Sequence, residues 1–288
     1  VNALAEIAQA KTSYPSRLIW SNDGQSLGVV TESGFSLLSK PTWQVARTIP
    51  IKQPATLLDL SPDLNAFVQT SDQKTLEVRD LNGVLLRSLK PGTGIEGANY
   101  SPDGKTIVIA SVDEIAVTLW DATSGQQIKK LSGFQTAAPV YGARIASDGK
   151  TLLWVSRATI QLMDIASGKL GARFSHEDFV MDETLTLDGR TLITAAEGTL
   201  IFWDVATGKK SKLNLTSNPP TLSLASSGRV LGLGSDKNVL LWDAANQKQL
   251  RALSGHASRV TAVAFSRDGS LLASASEDGI IKVWGVKQ

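Results

Sequence analysis

The stretch GHASRVTAVAFSRDGSLLASASEDGIIKVWG, residues 255–285, decides the fold. An apolar run, Val260 to Phe265, meets a polar Asp268-Gly269 turn. A second run follows at once, Leu271-Leu272-Ala273-Ser274-Ala275, then a tight turn and a strand ending at Trp284-Gly285. Towards the N-terminus the same pattern returns six more times. The turn glycine, or the residue in its place, falls at Gly24, Leu64, Gly104, Gly149, Gly189, Gly228 and Gly269, at steps of 39 to 45 residues. The strand closing each unit ends at Leu38-Ser39, Arg79-Asp80, Trp120-Asp121, Met163-Asp164, Trp203-Asp204, Trp242-Asp243 and Trp284-Gly285, at steps of 39 to 43. Two ladders built on different residues agree. A self-similar unit of about 40 residues, all strand and turn with no helical periodicity, is the signature of a propeller of small sheets packed face to face.

The expected fold is therefore all-β: a seven-bladed β-propeller of four-stranded antiparallel blades, forming one domain over residues 1–288. The blades are expected near residues 14–49, 55–89, 96–131, 139–175, 180–215, 220–254 and 259–286, the last with 3–9 added. The second strands, such as Thr106 to Ser111 and Thr191 to Ala195, are nearly continuous apolar runs, as expected of a sheet covered on both faces. The Asp-Gly pairs, and the Asp-x-x-Ser/Thr-Gly runs from Asp121, Asp164 and Asp204, are turn chemistry: Asp accepts backbone hydrogen bonds and Gly supplies positive φ.

With Trp-Asp in three units and Gly255-His256 opening the last, the chain resembles the WD-repeat family of β-propellers, over nearly its whole length. Its degenerate repeats point to a bacterial member. The seventh unit stops soon after its third strand, whereas Ala3-Leu4-Ala5-Glu6-Ile7-Ala8 has no place in unit one. The family closes its ring by lending an N-terminal strand to the last blade, and these residues match that need. An edge left unpaired invites aggregation.

Composition narrows the classes. With 29 basic and 27 acidic residues and no long like-charge run, nothing suggests a nucleic-acid arm or a membrane-surface patch. The cluster Lys209-Lys210-Ser211-Lys212 reads as a solvated hairpin. The absence of cysteine removes disulfides and thiolate metal sites and leaves the compartment open, cytoplasmic or extracytoplasmic. No apolar run approaches the ~18 residues of a membrane helix. A chain beginning at Val1 rather than Met fits removal of a leader, anchor or upstream domain. A monomer without cofactor or metal is expected.

The two histidines, His176 and His256, stand at equivalent positions in blades five and seven. The resemblance implies a buried structural network of His256, Ser274, Asp278 and Trp284. His176, Thr194 and Trp203 match it in blade five, where the turn at Glu197-Gly198 is one residue shorter. A hydrolytic reading of Ser274, His256 and Asp278 lacks a nucleophile elbow and an oxyanion-hole loop.

The family's usual interaction surface carries the loops between blades and the second-to-third-strand turns. Aligning the blades on Arg259, Thr261 and Ala262 picks out Tyr14, Ser16 and Arg17, then Glu96, Tyr141, Phe179, Met181 and Asp182. Phe134, Arg157, Glu177 and Asp178 lie in adjacent loops. These side chains vary while core and turn residues recur, which is where specificity can be placed. Phe134, Tyr141 and Phe179 either anchor a partner or plug loop bases. Eight acids in the second-to-third-strand turns (Glu32, Asp72, Asp113, Glu114, Glu197, Asp236, Glu277, Asp278) against Lys74, Arg157 and Lys237 favour a cationic partner. The expected function is a non-enzymatic scaffold that binds a protein or peptide. The alternatives are a propeller hydrolase or lectin-like domain using the central channel, marked by carboxylates clustered at one opening, and an extracytoplasmic sensor domain of a larger protein.

Overall fold

The computed structural model describes residues 4–92, 94–111, 115–134, 140–156, 158–215 and 221–286, with the side chains of Val140, Tyr141 and Val286 outside the description. Its strands form seven four-stranded antiparallel sheets, six of them built from consecutive strands. The first strands of blades one to seven are Pro15–Trp20, Thr56–Leu60, Ile95–Tyr100, Val140–Ile145, Val180–Leu185, Leu222–Leu224 and Val260–Phe265. First strands lie against one another between blades two and three, three and four, five and six, and six and seven, and those of blades seven and one meet as well. The sheets therefore stand as blades around a central axis with their first strands innermost.

The seventh sheet contains both ends of the chain. Leu4–Lys11 pairs antiparallel with Ile280–Val286, from Leu4 opposite Val286 to Lys11 opposite Ile280, so the chain closes the ring as the repeat pattern requires. The closing strand runs three residues beyond the expected Ala8. Lys282 Nζ lies 2.6 Å from Glu6 Oε2, adding an ion pair across the joint, and Arg251 of blade six donates to the Leu4 carbonyl at 2.9 Å.

The core is distributed. Its described buried apolar side chains fall into seven clusters, one at each junction between neighbouring blades. At the junction of blades seven and one, Ala273, Ala275 and Ile281 meet Leu18, Leu27 and Val29. Three tryptophans from third strands, Trp120, Trp203 and Trp284, reach the preceding blade at Leu89, Phe174 and Leu253. Each such ring contributes on the order of 2–3 kcal/mol through burial.

At one end of the ring each first-to-second-strand turn is tied by its own side chains. In blade one Ser21 Oγ donates to Asp23 Oδ1 at 2.6 Å, and that carboxylate accepts the Gln25 N–H. Blade seven repeats it with Ser266, Asp268 and Ser270. Blade two departs: Leu64 takes φ 55°, where the other six turns have glycine. Its side chain is buried between blades one and two, which offsets the cost of a left-handed non-glycine residue.

Removing residues 1–11 leaves the seventh blade with a bare edge along Ile280–Val286 and unpairs Lys282. The truncated chain is expected to melt at lower temperature and to self-associate, read by calorimetry and light scattering. A monomer with unchanged melting would contradict closure by this strand.

Candidate interaction face and central channel

Opposite the Asp-Gly turns, the other end of the ring gathers the loops entering each first strand. Tyr14, 63% exposed with φ 31°, projects from the entry to blade one. Glu96 and Arg259 are exposed on the entries to blades three and seven. At blade five Glu177 and Asp178 are exposed and lead into Phe179 and Met181, 48% and 47% exposed. Glu177 sits 3.9 Å from Lys212, a contact between exposed groups that orients the loop and contributes little stability.

Three of the expected binding residues stand elsewhere. Phe134 is buried and stacks on Trp154, with centroids 3.8 Å apart and planes 13° apart, because the junction of blades three and four needs its ring as filler. Arg17 and Asp182 turn into the channel wall. Arg157 lies outside the described residues, as do Asp113 and Glu114. Tyr141 is on the first strand of blade four, with its side chain outside the description.

The channel, about 760 Å³ in its larger part, is lined from Arg17 through Arg144 and Asp182 to Phe265. Arg17 Nη1 meets Asp59 Oδ1 at 3.1 Å, joining blades one and two, while its Nη2 reaches Asn99 Oδ1 of blade three at 3.4 Å. Arg144 Nε donates to Glu183 Oε1 at 2.7 Å, joining blades four and five, and its Nη2 lies 3.9 Å from Asp182 Oδ1. Several of these groups also tie down backbone of the next blade. Asp59 accepts the Tyr100 N–H and Asp182 the Leu222 N–H, both at 2.8 Å, and Asn99 donates to the Ala143 carbonyl at 3.1 Å. Burial pushes the carboxyls of Asp59 and Asp182 up against the pull of Arg17 and Arg144, that of Asp182 to about 6.

Asp59, Arg144 and Glu183 were not among the residues expected to matter. By strand register Asp59 and Arg144 occupy the position of Ile19 and Ala264, and Glu183 that of Leu18 and Val263. The position of Asp59 and Arg144 also holds Asn99, Thr184 and Ser223 and gives no signal, whereas at the Glu183 position the other blades carry apolar residues, so a charge there is the available signal. Its partner lies one repeat away, as for Arg144 and Glu183, 39 residues apart.

In blade seven Ser274, fully buried, accepts from Trp284 Nε1 at 2.8 Å and meets His256 Nε2 at 2.7 Å. Indole N–H is only a donor, so the serine hydroxyl proton is available for the imidazole. Asp278 does not join that chain: its carboxylate accepts the backbone N–H groups of Ala257 and Ile280, at 3.0 and 2.8 Å, and so holds the loop rather than the ring. In blade five Trp203 donates to Thr194 at 3.1 Å, but both nitrogens of His176 are buried without a hydrogen-bond partner, and the ring sits edge-on to Trp203. Burial pushes both imidazoles down to about 4; near His176 Lys210 adds to this and Asp178 opposes it. Among the described residues no group of His, Cys, Asp or Glu is placed to hold a metal ion.

The profile of the family described as WD domain, G-beta repeat matches residues 247–285, the last unit of the ring. The chain is 27% identical over 268 residues to rat apoptotic protease-activating factor 1, covering 92% of this chain and 18% of that protein. It is 26% identical over 287 residues to the Arabidopsis thaliana WD repeat-containing protein WDS homolog, covering 92% and 54% respectively. A shorter match, 33% over 60 residues, is to a Schizosaccharomyces pombe guanine nucleotide-binding protein subunit beta, covering 21% of this chain and 20% of that one. The chain thus spans about half or less of the length of these relatives. Seven blades, the closing strand and this match together place the chain in the WD40-repeat β-propeller family. Members typically serve as protein-interaction scaffolds and are generally not catalytic.

Two outcomes follow from the histidines. His256→Ala strands Ser274 in the core and is expected to cost about 1–3 kcal/mol in urea unfolding. For pH, both folded-state imidazoles titrate near 4 rather than 6.5, so between those values the unfolded chain binds more protons and stability falls on acidification. Asp182, raised in the fold, acts in the opposite sense as pH drops through about 6. His176→Phe, which keeps a ring against Trp203 and removes one such proton site, should flatten the loss of melting temperature over this window.

Proposed function

We propose that the chain is a non-catalytic, single-domain module that captures a protein or peptide on the loop face around blades four and five. The observation that supports this best is the exposed pair Phe179 and Met181 beside Glu177 and Asp178, at the entry to blade five. The rigid phenylalanine ring supplies contact area at low entropic cost, the flexible methionine adapts to the partner's shape, and the acids orient a partner carrying positive charge. Tyr14, Glu96 and Arg259 extend the surface around the same end of the ring.

Channel chemistry is the weaker reading. A channel hydrolase needs carboxylates available for proton transfer, whereas Asp59, Asp182 and Glu183 are engaged by Arg17 and Arg144. A triad at Ser274 would need an exposed hydroxyl and an aspartate on the imidazole, and Ser274 is fully buried while Asp278 holds backbone.

The test uses proteins retained by the immobilised chain, identified by mass spectrometry and then titrated individually. Phe179→Ala and Tyr141→Ala should each weaken a direct partner by at least ~1 kcal/mol while melting is unchanged. If both variants bind normally and changes at Lys105, Lys150 or Arg190 abolish binding, the opposite face carries the function.

A further inference from the structure

The junction of blades one and two differs from its neighbours. By register Arg79 occupies the third-strand position of Trp120, Trp203 and Trp284. Those rings fill the outer part of a junction by packing on the preceding blade. Here the space stays open as a cleft of about 610 Å³ at the side of the ring, away from the channel and from the blade-five loops.

Its chemistry is asymmetric. Ile49, Ile51, Ala55 and Phe67, all buried, give the inner end an apolar wall. Glu77 is the one acid in the lining and is already matched: Arg79 Nε lies 2.9 Å and Gln69 Nε2 2.8 Å from its Oε2, and the Arg79 hydrogen bond, with help from Gln69, holds its carboxyl below the usual range. Arg79 also donates to the Gly83 carbonyl. That leaves two cations. Arg47 donates through Nη2 to the Leu81 carbonyl and Asn82 Oδ1, and neither it nor Lys52 pairs with a described carboxylate. Just past Gly83, at one flank of the cleft, come Val84, Leu85 and Leu86, 57%, 46% and 47% exposed. The corresponding outer strand of blade five begins Lys210-Ser211-Lys212, so an exposed apolar run is not required by the blade.

We propose that this cleft is a second binding site, which takes an extended peptide segment of a partner protein bearing an acidic residue next to apolar ones. The apolar side chains enter between Ile49 and Phe67, where burial supplies affinity, and the carboxylate meets Arg47 and Lys52 at the rim. Such a peptide is opposite in charge to the cationic partner expected at the loop face, so the two sites are independent.

The probe is a random dodecapeptide library displayed on phage and selected on the intact chain, with the recovered peptides then synthesised and titrated by fluorescence anisotropy. The expected consensus pairs Asp or Glu with large apolar residues. Lys52→Glu, at an exposed position, should weaken these peptides by about tenfold or more, and exchanging the peptide acid for lysine should restore binding to that variant. Ser71→Trp, also exposed and on the cleft wall, should block them, with melting temperature checking the fold of both variants. Phe179→Ala should leave them unaffected. Selected peptides without acids, or peptides that bind Lys52→Glu and Ser71→Trp like the wild type, would overturn the assignment. So would peptides lost only with Phe179→Ala, and that result would support the loop-face reading instead.

Discussion

Burial between blades is the interaction on which the rest depends. A four-stranded sheet with apolar side chains on both faces cannot stand alone in water, and here each of the seven clusters is shared by two neighbours. Chain connectivity brings six of those junctions together. The seventh joins blades that are distant in sequence, and it is sealed by Leu4–Lys11 completing the last sheet, so that Ala10 packs with Leu27 and Ile281 in one cluster. Closure makes the ring one cooperative body rather than a row of repeats.

A second constraint follows from the first. Stacking sheets around an axis places seven edge strands at the centre, each with backbone donors and acceptors that need partners. Here the preceding blade supplies several of those partners: Asp59, Asp182, Thr221 and Ser223 each accept a backbone N–H from the next inner strand. The arginines at Arg17 and Arg144 then compensate the carboxylates this requires, since a buried, unpaired anion is costly. Much of the polar character of the channel is thereby explained by edge satisfaction, and this shifts the functional weight to the rim and sides of the ring.

Degeneracy of the repeats is structurally uneven. Where a blade keeps its third-strand tryptophan, as at Trp203 and Trp284, the outer junction is filled and the serine or threonine of the second strand holds the indole. Where it is lost, the molecule responds locally: Phe134 stacks on Trp154 to fill the junction before Met163, whereas at Arg79 nothing replaces the ring and a cleft remains. Loss of the histidine contact in blade five leaves the Trp203 to Thr194 bond intact, so the network fails at its loop end before its core end.

The sequence by itself determined the number of blades, the four-stranded unit, the turn chemistry and the strand that closes the ring. The first three follow from local periodicity, since seven copies of a local rule reinforce one another, and the closing strand from the seventh unit's missing fourth strand together with the family resemblance. The family resemblance carried by its motifs also implied that His256, Ser274 and Trp284 are neighbours, as they are. Only the tertiary structure decided which variable side chains reach solvent. Phe134 and Phe179 read alike as loop aromatics, yet one fills a junction and the other projects, a difference set by how much volume the facing blade leaves empty. Likewise Arg17 and Asp182 lie at rim positions in any alignment of the repeats, and both turn inward because their partners, Asp59 and Arg144, stand one blade away across a junction that no single repeat contains.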